Sequence, residues 1–277
     1  MLSVQSLIQY PVKSARGVAV TSAQVGPYGL TGDRRYIIVS DQGRMLTGRE
    51  IPATVLIETG YESNALVLGC PGFGSVTLEK PTNRLVDAVK IWGDTVSGYD
   101  MGEAAAKWLT AVLGRPCRLL QIARRQNRKP VTPQSFVDAA PLLLVTQASV
   151  DDVNSRLAHP VSAACFRPNI IIDGPMPAFA EDTWARIRIG ELVIDVLWGC
   201  QRCVFITVDP ETGTKNTQME PYETLSTYRT FSDKGVYFGQ NVVSRSKGRL
   251  CVGDRVEILD VRENLITEKA MKMALNL

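Results

Sequence analysis

The sequence contains a single histidine, His159, in 277 residues, and that scarcity removes much of enzyme chemistry at once. Ser-His-Asp catalysis, multi-histidine zinc sites and facial-triad iron each need at least one well-placed imidazole. His159 precedes Pro160 in a polar loop, where a lone histidine is usually solvated. Charge of one sign is lacking too. Thirty-one Lys and Arg against 28 Asp and Glu leave a net charge of +3. That is too little for the electrostatic footprint of a nucleic-acid binder, so any anion site has to be local. No apolar run approaches the roughly 18 to 20 residues that span a bilayer. The longest, such as Pro141-Leu-Leu-Leu-Val145 and Leu192 to Trp198, are strand-sized. The opening residues show no basic stretch ahead of an apolar one and no small-residue cleavage site. A secretory signal is therefore not expected, and a cytoplasmic location without membrane association is.

The six cysteines (Cys70, Cys117, Cys165, Cys200, Cys203, Cys251) are too scattered for the disulfide framework of a small secreted domain, and most are expected to be buried, reduced and inert. With 45% hydrophobic and 21% charged residues the chain has an ordinary globular composition, enough for one large domain or two modest ones. Short β-rich runs bounded by Gly, Pro and Asp recur at Val18 to Val25, Tyr36 to Ser40, Val55 to Thr59, Ala65 to Leu68, Val89 to Trp92, Arg118 to Ile122, Asn169 to Asp173, Leu192 to Trp198, Val204 to Val208 and Arg255 to Leu259. This spacing predicts a mainly β or α+β protein built on a barrel or sandwich, with few short helices. Asp100 and Glu103 have capping-box spacing ahead of a helix through Leu113, stopped by Gly114 and Pro116; a second helix is expected from Ser149 to Leu157. The basic run Ala123-Arg-Arg-Gln-Asn-Arg-Lys-Pro130 is the best linker. It divides the chain into an N-terminal β-rich domain, 1–122, and a C-terminal β-barrel domain, 123–277, with a ligand expected between them.

The most informative stretch is Trp198-Gly-Cys-Gln-Arg-Cys-Val-Phe-Ile-Thr-Val-Asp-Pro-Glu-Thr-Gly213. A structural zinc site would need a second cysteine pair, and the other cysteines are isolated. A redox Cys-x-x-C needs its first sulfur at a helix N-terminus, whereas Val204 to Val208 reads as a strand. A third reading is a single thiolate at the mouth of a strand: Arg202 beside Cys203 favours ionisation, and a thiolate is the ligand a sulfur-loving metal takes. A fourth is two buried cysteines beside a turn, and composition alone favours that one. Asp209-Pro-Glu-Thr-Gly213 reads as a β-turn that fixes the strand carrying Cys203.

Taken together, several segments resemble the MOSC family, and within it the mitochondrial amidoxime-reducing components and their bacterial relatives. They are Tyr10-Pro-Val-Lys-Ser14, Gly32-Asp-Arg34, Phe166-Arg-Pro-Asn169, Arg202-Cys203 with Thr207-Val-Asp-Pro-Glu-Thr-Gly213, Glu220-Pro with Thr224-Leu-Ser-Thr-Tyr-Arg229, Phe238-Gly-Gln240 and Val252-Gly-Asp254. Their order and spacing also match, over nearly the whole chain. The resemblance implies a molybdenum-cofactor-dependent oxidoreductase that reduces N-hydroxylated compounds by taking their oxygen at a molybdenum ligated by Cys203. It implies that Lys13, Ser14, Arg34, Arg167, Asn169 and Arg202 hold the pterin and its phosphate. Asp138, in Phe136-Val-Asp-Ala-Ala-Pro141, matches a position near the cofactor and is a second catalytic candidate, as a tuner of the metal site or a proton relay. Guanidinium and hydroxyl groups suit a planar, multiply charged anion. Taken singly, these residues have plainer readings: Lys13 as an exposed turn residue, Arg34 as a surface partner of Asp33, Arg167 as a strand-entry residue and Asp138 as a turn former.

The chain departs from the family's pattern in places. Gln201 stands where animal members have a small hydroxyl residue, and Ala139 and Ala140 replace hydroxyl residues after the aspartate. Neither a membrane anchor ahead of the first strand nor a fused iron–sulfur domain after Leu259 is expected. Electrons are thus expected from a separate flavin, haem or iron–sulfur protein. Two other functions stay in view: a non-catalytic carrier of molybdenum cofactor or sulfur, and a pyridoxal-phosphate binder with Lys13 as the Schiff-base lysine.

Overall fold

The computed structural model describes residues 1–91, 94–123 and 135–263. It is β-rich, as the run spacing predicts, and the proposed linker falls almost wholly outside the described residues. The largest sheet has eight strands in the order Val256–Val261, Trp184–Ile189, Leu192–Gln201, Tyr237–Ser244, Leu142–Thr146, Ile170–Asp173, Ser3–Gln9 and Val18–Val20. Within Leu192–Gln201 the residues Leu192, Ile194, Val196 and Trp198 are buried and their neighbours less so, the period-two pattern of a strand with one face on a core. That core also takes Val4, Leu7, Leu144, Ile172 and Val242. The sheet curls until its far strands meet: Val4 N–H donates to Asp254 O and Val256 N–H to Leu2 O, each at 2.9 Å. The one parallel pair in this sheet, Leu142–Thr146 with Ile170–Asp173, is bridged by the helix Gln147–Arg156, the crossover a parallel connection requires.

The second body of structure is a four-stranded antiparallel sheet, ordered Tyr36–Ser40, Cys117–Ile122, Asp94–Asp100 and Leu85–Ile91. Tyr36–Ser40 is buried on both faces: Tyr36 and Ile38 enter one apolar cluster, Ile37 and Val39 another. A small sheet, Glu58–Glu62, Ala65–Cys70 and Gly74–Leu78, and the helix Glu103–Leu113 cover the first cluster. The first strands do not stay with this body. Ser3–Gln9 and Val18–Val20 lie in the large sheet, and Ser22–Gly26 pairs with Gly248–Cys251.

Several local expectations are corrected. The run Val18 to Val25 bends into two strands that join different sheets. Val55 and Leu56 sit in a 3₁₀ turn, Pro52–Leu56, started by a proline at its first position, and the strand begins only at Glu58. Asp100 does not cap the helix with its side chain. It is the buried end of a strand, and its carboxylate accepts from Gly102 N–H at 2.8 Å and from Arg118, which also reaches Glu103. Gly114 closes that helix in a left-handed conformation, as its position predicts. The second helix starts earlier than expected because Thr146 is its cap, accepting from Ser149 N–H at 3.2 Å. Val204 to Val208 is not a strand but a 3₁₀ turn, Val204–Thr207, closed by Thr207 Oγ1 donating to Val204 O. Here tertiary packing overrides β propensity: no strand pairs with it, and Ile206 is drawn into a core with Leu225 and Phe238.

Candidate functional site

A cavity of about 430 Å³ is lined by all eight residues singled out in the sequence: Lys13, Ser14, Arg34, Asp138, Arg167, Asn169, Arg202 and Cys203. Their positions span 190 places in the chain, so only the fold brings them together. Five lining residues are cationic (Lys13, Arg34, Arg49, Arg167, Arg202), and among the described residues the single lining carboxylate is Asp138. The local concentration of positive charge that the near-neutral composition does not provide is gathered here. His159 is exposed in its loop and takes no part.

One wall follows from the turn after Ser3–Gln9. Ser14 and Arg34 both hold left-handed backbone, with φ of 70° and 45°, a strain that non-glycine residues keep only when the surroundings impose it. The imposition is visible. Lys13 N–H donates to Tyr36 O, Arg34 N–H to Tyr10 O and Tyr36 N–H to Pro11 O, which staples the two segments together. Asp33, read from sequence as a surface partner, is buried at 4% exposure and is the hub of the wall. Its carboxylate accepts from Tyr10 N–H, the Arg34 guanidinium and Asn169 Nδ2. Burial raises the Asp33 pKa, and the Arg34 charge opposes that rise. Asn169 spends both amide hydrogens on Ile8 O and Asp33, and its oxygen accepts from Arg34 Nη1 and Leu143 N–H. Asn169 thus holds Arg34 in place and has no spare donor of its own. Lys13, also buried, donates to Phe136 O and to Asp138, each at 2.7 Å. The Asp138 side chain is 62% exposed at the cavity mouth.

The other wall comes from the second half. Arg167, left-handed at φ 58°, ends the 3₁₀ turn Ala163–Phe166. Its guanidinium lies over the Tyr10 ring at 4.3 Å and the Phe205 ring at 5.3 Å, and no side-chain hydrogen bond or ion pair engages it among the described residues. Burial lowers its pKa, Tyr10 opposing and the Arg34 charge adding to the effect. Arg202 lines the cavity beside Cys203. Its guanidinium donates to Cys200 Sγ at 3.1 Å and Phe166 O at 2.7 Å, not to Cys203, because residues two apart on an extended chain share a face. Its Nε is buried with no partner.

Cys203 stands where the strand Leu192–Gln201 has given way to the Val204–Thr207 turn, and it is the one exposed cysteine of the six. Cys70, Cys117 and Cys165 are buried free thiols, and burial pushes Cys165 up to about 12. The turn at Asp209 to Gly213 forms as read, and Arg16 binds it to the first half through Glu211 and Pro210. Among the described residues no three His, Cys, Asp or Glu side chains stand together as a metal-binding group, which leaves the zinc reading without ligands.

Sequence reading missed Tyr10, Asp33, Arg49, Cys200 and Phe205. Tyr10 and Asp33 lay inside the quoted motifs, adjacent to the residues chosen for charge, and Phe205 was hidden in an expected strand. The donor set fits an anionic organic group bearing a soft metal: cations on both walls, a buried Arg202 Nε and an Arg167 with no ion pair among the described residues, and one exposed sulfur.

Fold and site together define a β-rich protein with a cation-lined cavity and one exposed thiol at its edge. The family model for the MOSC N-terminal beta barrel domain matches residues 1–116, and that for the MOSC domain matches residues 132–257. The chain is 38% identical over 275 residues to mitochondrial amidoxime-reducing component 1 of Danio rerio, covering 91% of this chain and 83% of that protein. It is 35% identical to mitochondrial amidoxime-reducing component 1 of Homo sapiens, covering 93% and 83%, and 34% identical to mitochondrial amidoxime reducing component 2 of Bos taurus, covering 92% and 82%. The chain belongs to the MOSC family and, within it, to the group of the amidoxime-reducing components.

Proposed function

We propose that this chain is an oxidoreductase that reduces N-hydroxylated compounds such as amidoximes and hydroxylamines, using molybdenum cofactor. The observation that carries this reading is the lining of the cavity, five cations against one carboxylate with an exposed thiol among them. The names of the relatives point to the same substrate class. When bound, the cofactor supplies the two-electron chemistry by which an N–OH group loses its oxygen as water.

The chain's residues do the rest. Cys203 offers Sγ as the soft ligand, on a turn that leaves it unburied. Lys13, Ser14, Arg34, Arg167 and Arg202 hold the anionic parts of the cofactor, with Asn169 and Asp33 fixing Arg34. Asp138 holds Lys13 by an ion pair at the mouth, where its exposed carboxylate can pass protons from solvent to the departing oxygen. Reducing N–OH to N–H and water consumes a pair of protons with a pair of electrons; the electrons come from a separate donor protein. The setting we propose is the cytoplasm, without membrane attachment. No helix among the described residues is long and apolar enough to cross a membrane.

The test is Cys203→Ser in the loaded enzyme supplied with electrons. Turnover of benzamidoxime is expected to fall to background while thermal unfolding is unchanged, since the residue is exposed. Wild-type turnover in the variant overturns the ligand assignment. Loaded wild-type protein that leaves benzamidoxime unreduced under a chemical reductant would favour a carrier role instead.

A further inference from the structure

Two guanidiniums from opposite halves of the chain meet over one aromatic ring. The Arg34 guanidinium carbon lies 4.4 Å from the Tyr10 ring centroid and that of Arg167 lies 4.3 Å from it. The two positive charges oppose each other, and the buried carboxylate beside them, Asp33, is already engaged by Arg34, Asn169 and the Tyr10 backbone. Each arginine also sits on strained left-handed backbone. Arg34 has Asp33 and Asn169 to hold it, whereas Arg167 makes no side-chain hydrogen bond or ion pair among the described residues and rests on rings alone. The electron-rich face of a ring attracts guanidinium groups, and more strongly when both are desolvated.

We propose that Tyr10 is a positioning residue: its ring is the platform that sets Arg34 and Arg167 at a fixed spacing, and through them the place where the anionic cofactor binds. The inference rests on the cofactor reading given above. Two further observations separate the ring from ordinary core packing. The Tyr10 hydroxyl is buried without a hydrogen-bond partner among the described residues, so the protein does not anchor the side chain by its polar end. Gly17 has no positive φ to explain it, yet a Cβ there would stand 2.6 Å from Tyr10 Cε1 and 2.6 Å from Ile8 Cγ2. That glycine leaves room for the ring. Burial pushes the hydroxyl pKa up to about 12, the two arginines opposing, so the phenol stays neutral.

The experiment compares loaded wild-type enzyme with Tyr10→Phe, Tyr10→Leu and pentafluorophenylalanine installed at position 10. Three properties are read: molybdenum per chain after dialysis, fluorescence of the oxidised pterin released on denaturation, and KM and kcat for benzamidoxime. Phenylalanine keeps the ring and is the conservative rescue, retaining cofactor within about threefold of wild type. Leucine removes the ring face, and cofactor retention is expected to fall on the order of tenfold. The fluorinated ring has the same shape with its face charge reversed, and a comparable loss is expected, with kcat per bound molybdenum little changed. Should Tyr10→Leu fail to fold, the phenylalanine and fluorinated variants decide by themselves. A fluorinated variant that holds cofactor as tightly as the phenylalanine variant overturns the platform role alone. Wild-type protein that takes up neither molybdenum nor pterin overturns the proposed function and this inference with it.

Discussion

The two walls of the cavity are built on different terms. On the wall formed around Asp33, nearly every donor has a protein acceptor: Arg34, Asn169 and the Tyr10 N–H converge on one buried carboxylate, and Lys13 is closed off by Phe136 and Asp138. On the other wall, among the described residues, Arg167 has aromatic rings but no side-chain hydrogen bond or ion pair, Arg202 keeps a buried Nε without a partner, and the thiol of Cys203 is open. The first wall is completed by folding. The second is completed by what enters the cavity, because a buried cation without an acceptor is costly until an anion arrives.

If the walls differ in this way, substitutions should separate stability from binding. The largest effect is expected from Asp33→Ala, which strands a guanidinium, an amide and a backbone N–H at once. A loss of about 3 to 5 kcal/mol in unfolding free energy should appear in urea titrations. Asn169→Ala, on the same wall, should cost about 2 kcal/mol by the same measurement. Across the cavity the sign changes. Arg167→Gln should leave the melting temperature of cofactor-free protein unchanged or raised, while retention of molybdenum falls on the order of tenfold or more. A cofactor-free Arg167→Gln protein as destabilised as Asp33→Ala would erase the distinction between the walls. The smallest effect concerns pH. Burial raises Asp33 above its usual 3.8, so the native state holds that proton where the unfolded chain has lost it. The stability this confers is complete below the unfolded value and is lost as pH rises through the folded one. Asp33→Asn, which keeps an acceptor, should flatten that slope in urea midpoints taken from acid to neutral pH.

The β-rich architecture was legible because alternation and β-branched runs report one-sided burial directly, as in Leu192–Gln201. What could not be read was how strands were shared among sheets. The run Val18 to Val25 gives no sign in its composition that it bends and serves two of them. At the site, motif positions brought Lys13, Arg34, Arg167 and Cys203 to one cavity, although each had a plain reading when taken singly. The contacts among them were hidden. Sequence adjacency suggested that Arg202 serves Cys203, whereas extended backbone directs it to Cys200. Asp33 looked like a surface partner because its burial depends on Asn169, far along the chain. Tyr10 escaped notice because an aromatic residue at a strand end is ordinary until two arginines are found above it.

The strand Ser3–Gln9 has a practical consequence for anyone who would divide this protein. It runs antiparallel to Ile170–Asp173, with Leu7 opposite Ile170, and it puts Val4 and Leu7 into the core enclosed by the large sheet. A fragment cut at the interval between the two family matches would carry Ile170–Asp173 with a bare edge of unpaired amides and carbonyls and an opening into its core. Such a piece is expected to aggregate, and supplying residues 1–26 as a separate peptide should restore its solubility. The strand works as a clasp: made before its partner, it can take its place only once Ile170–Asp173, more than 160 residues later, has been made.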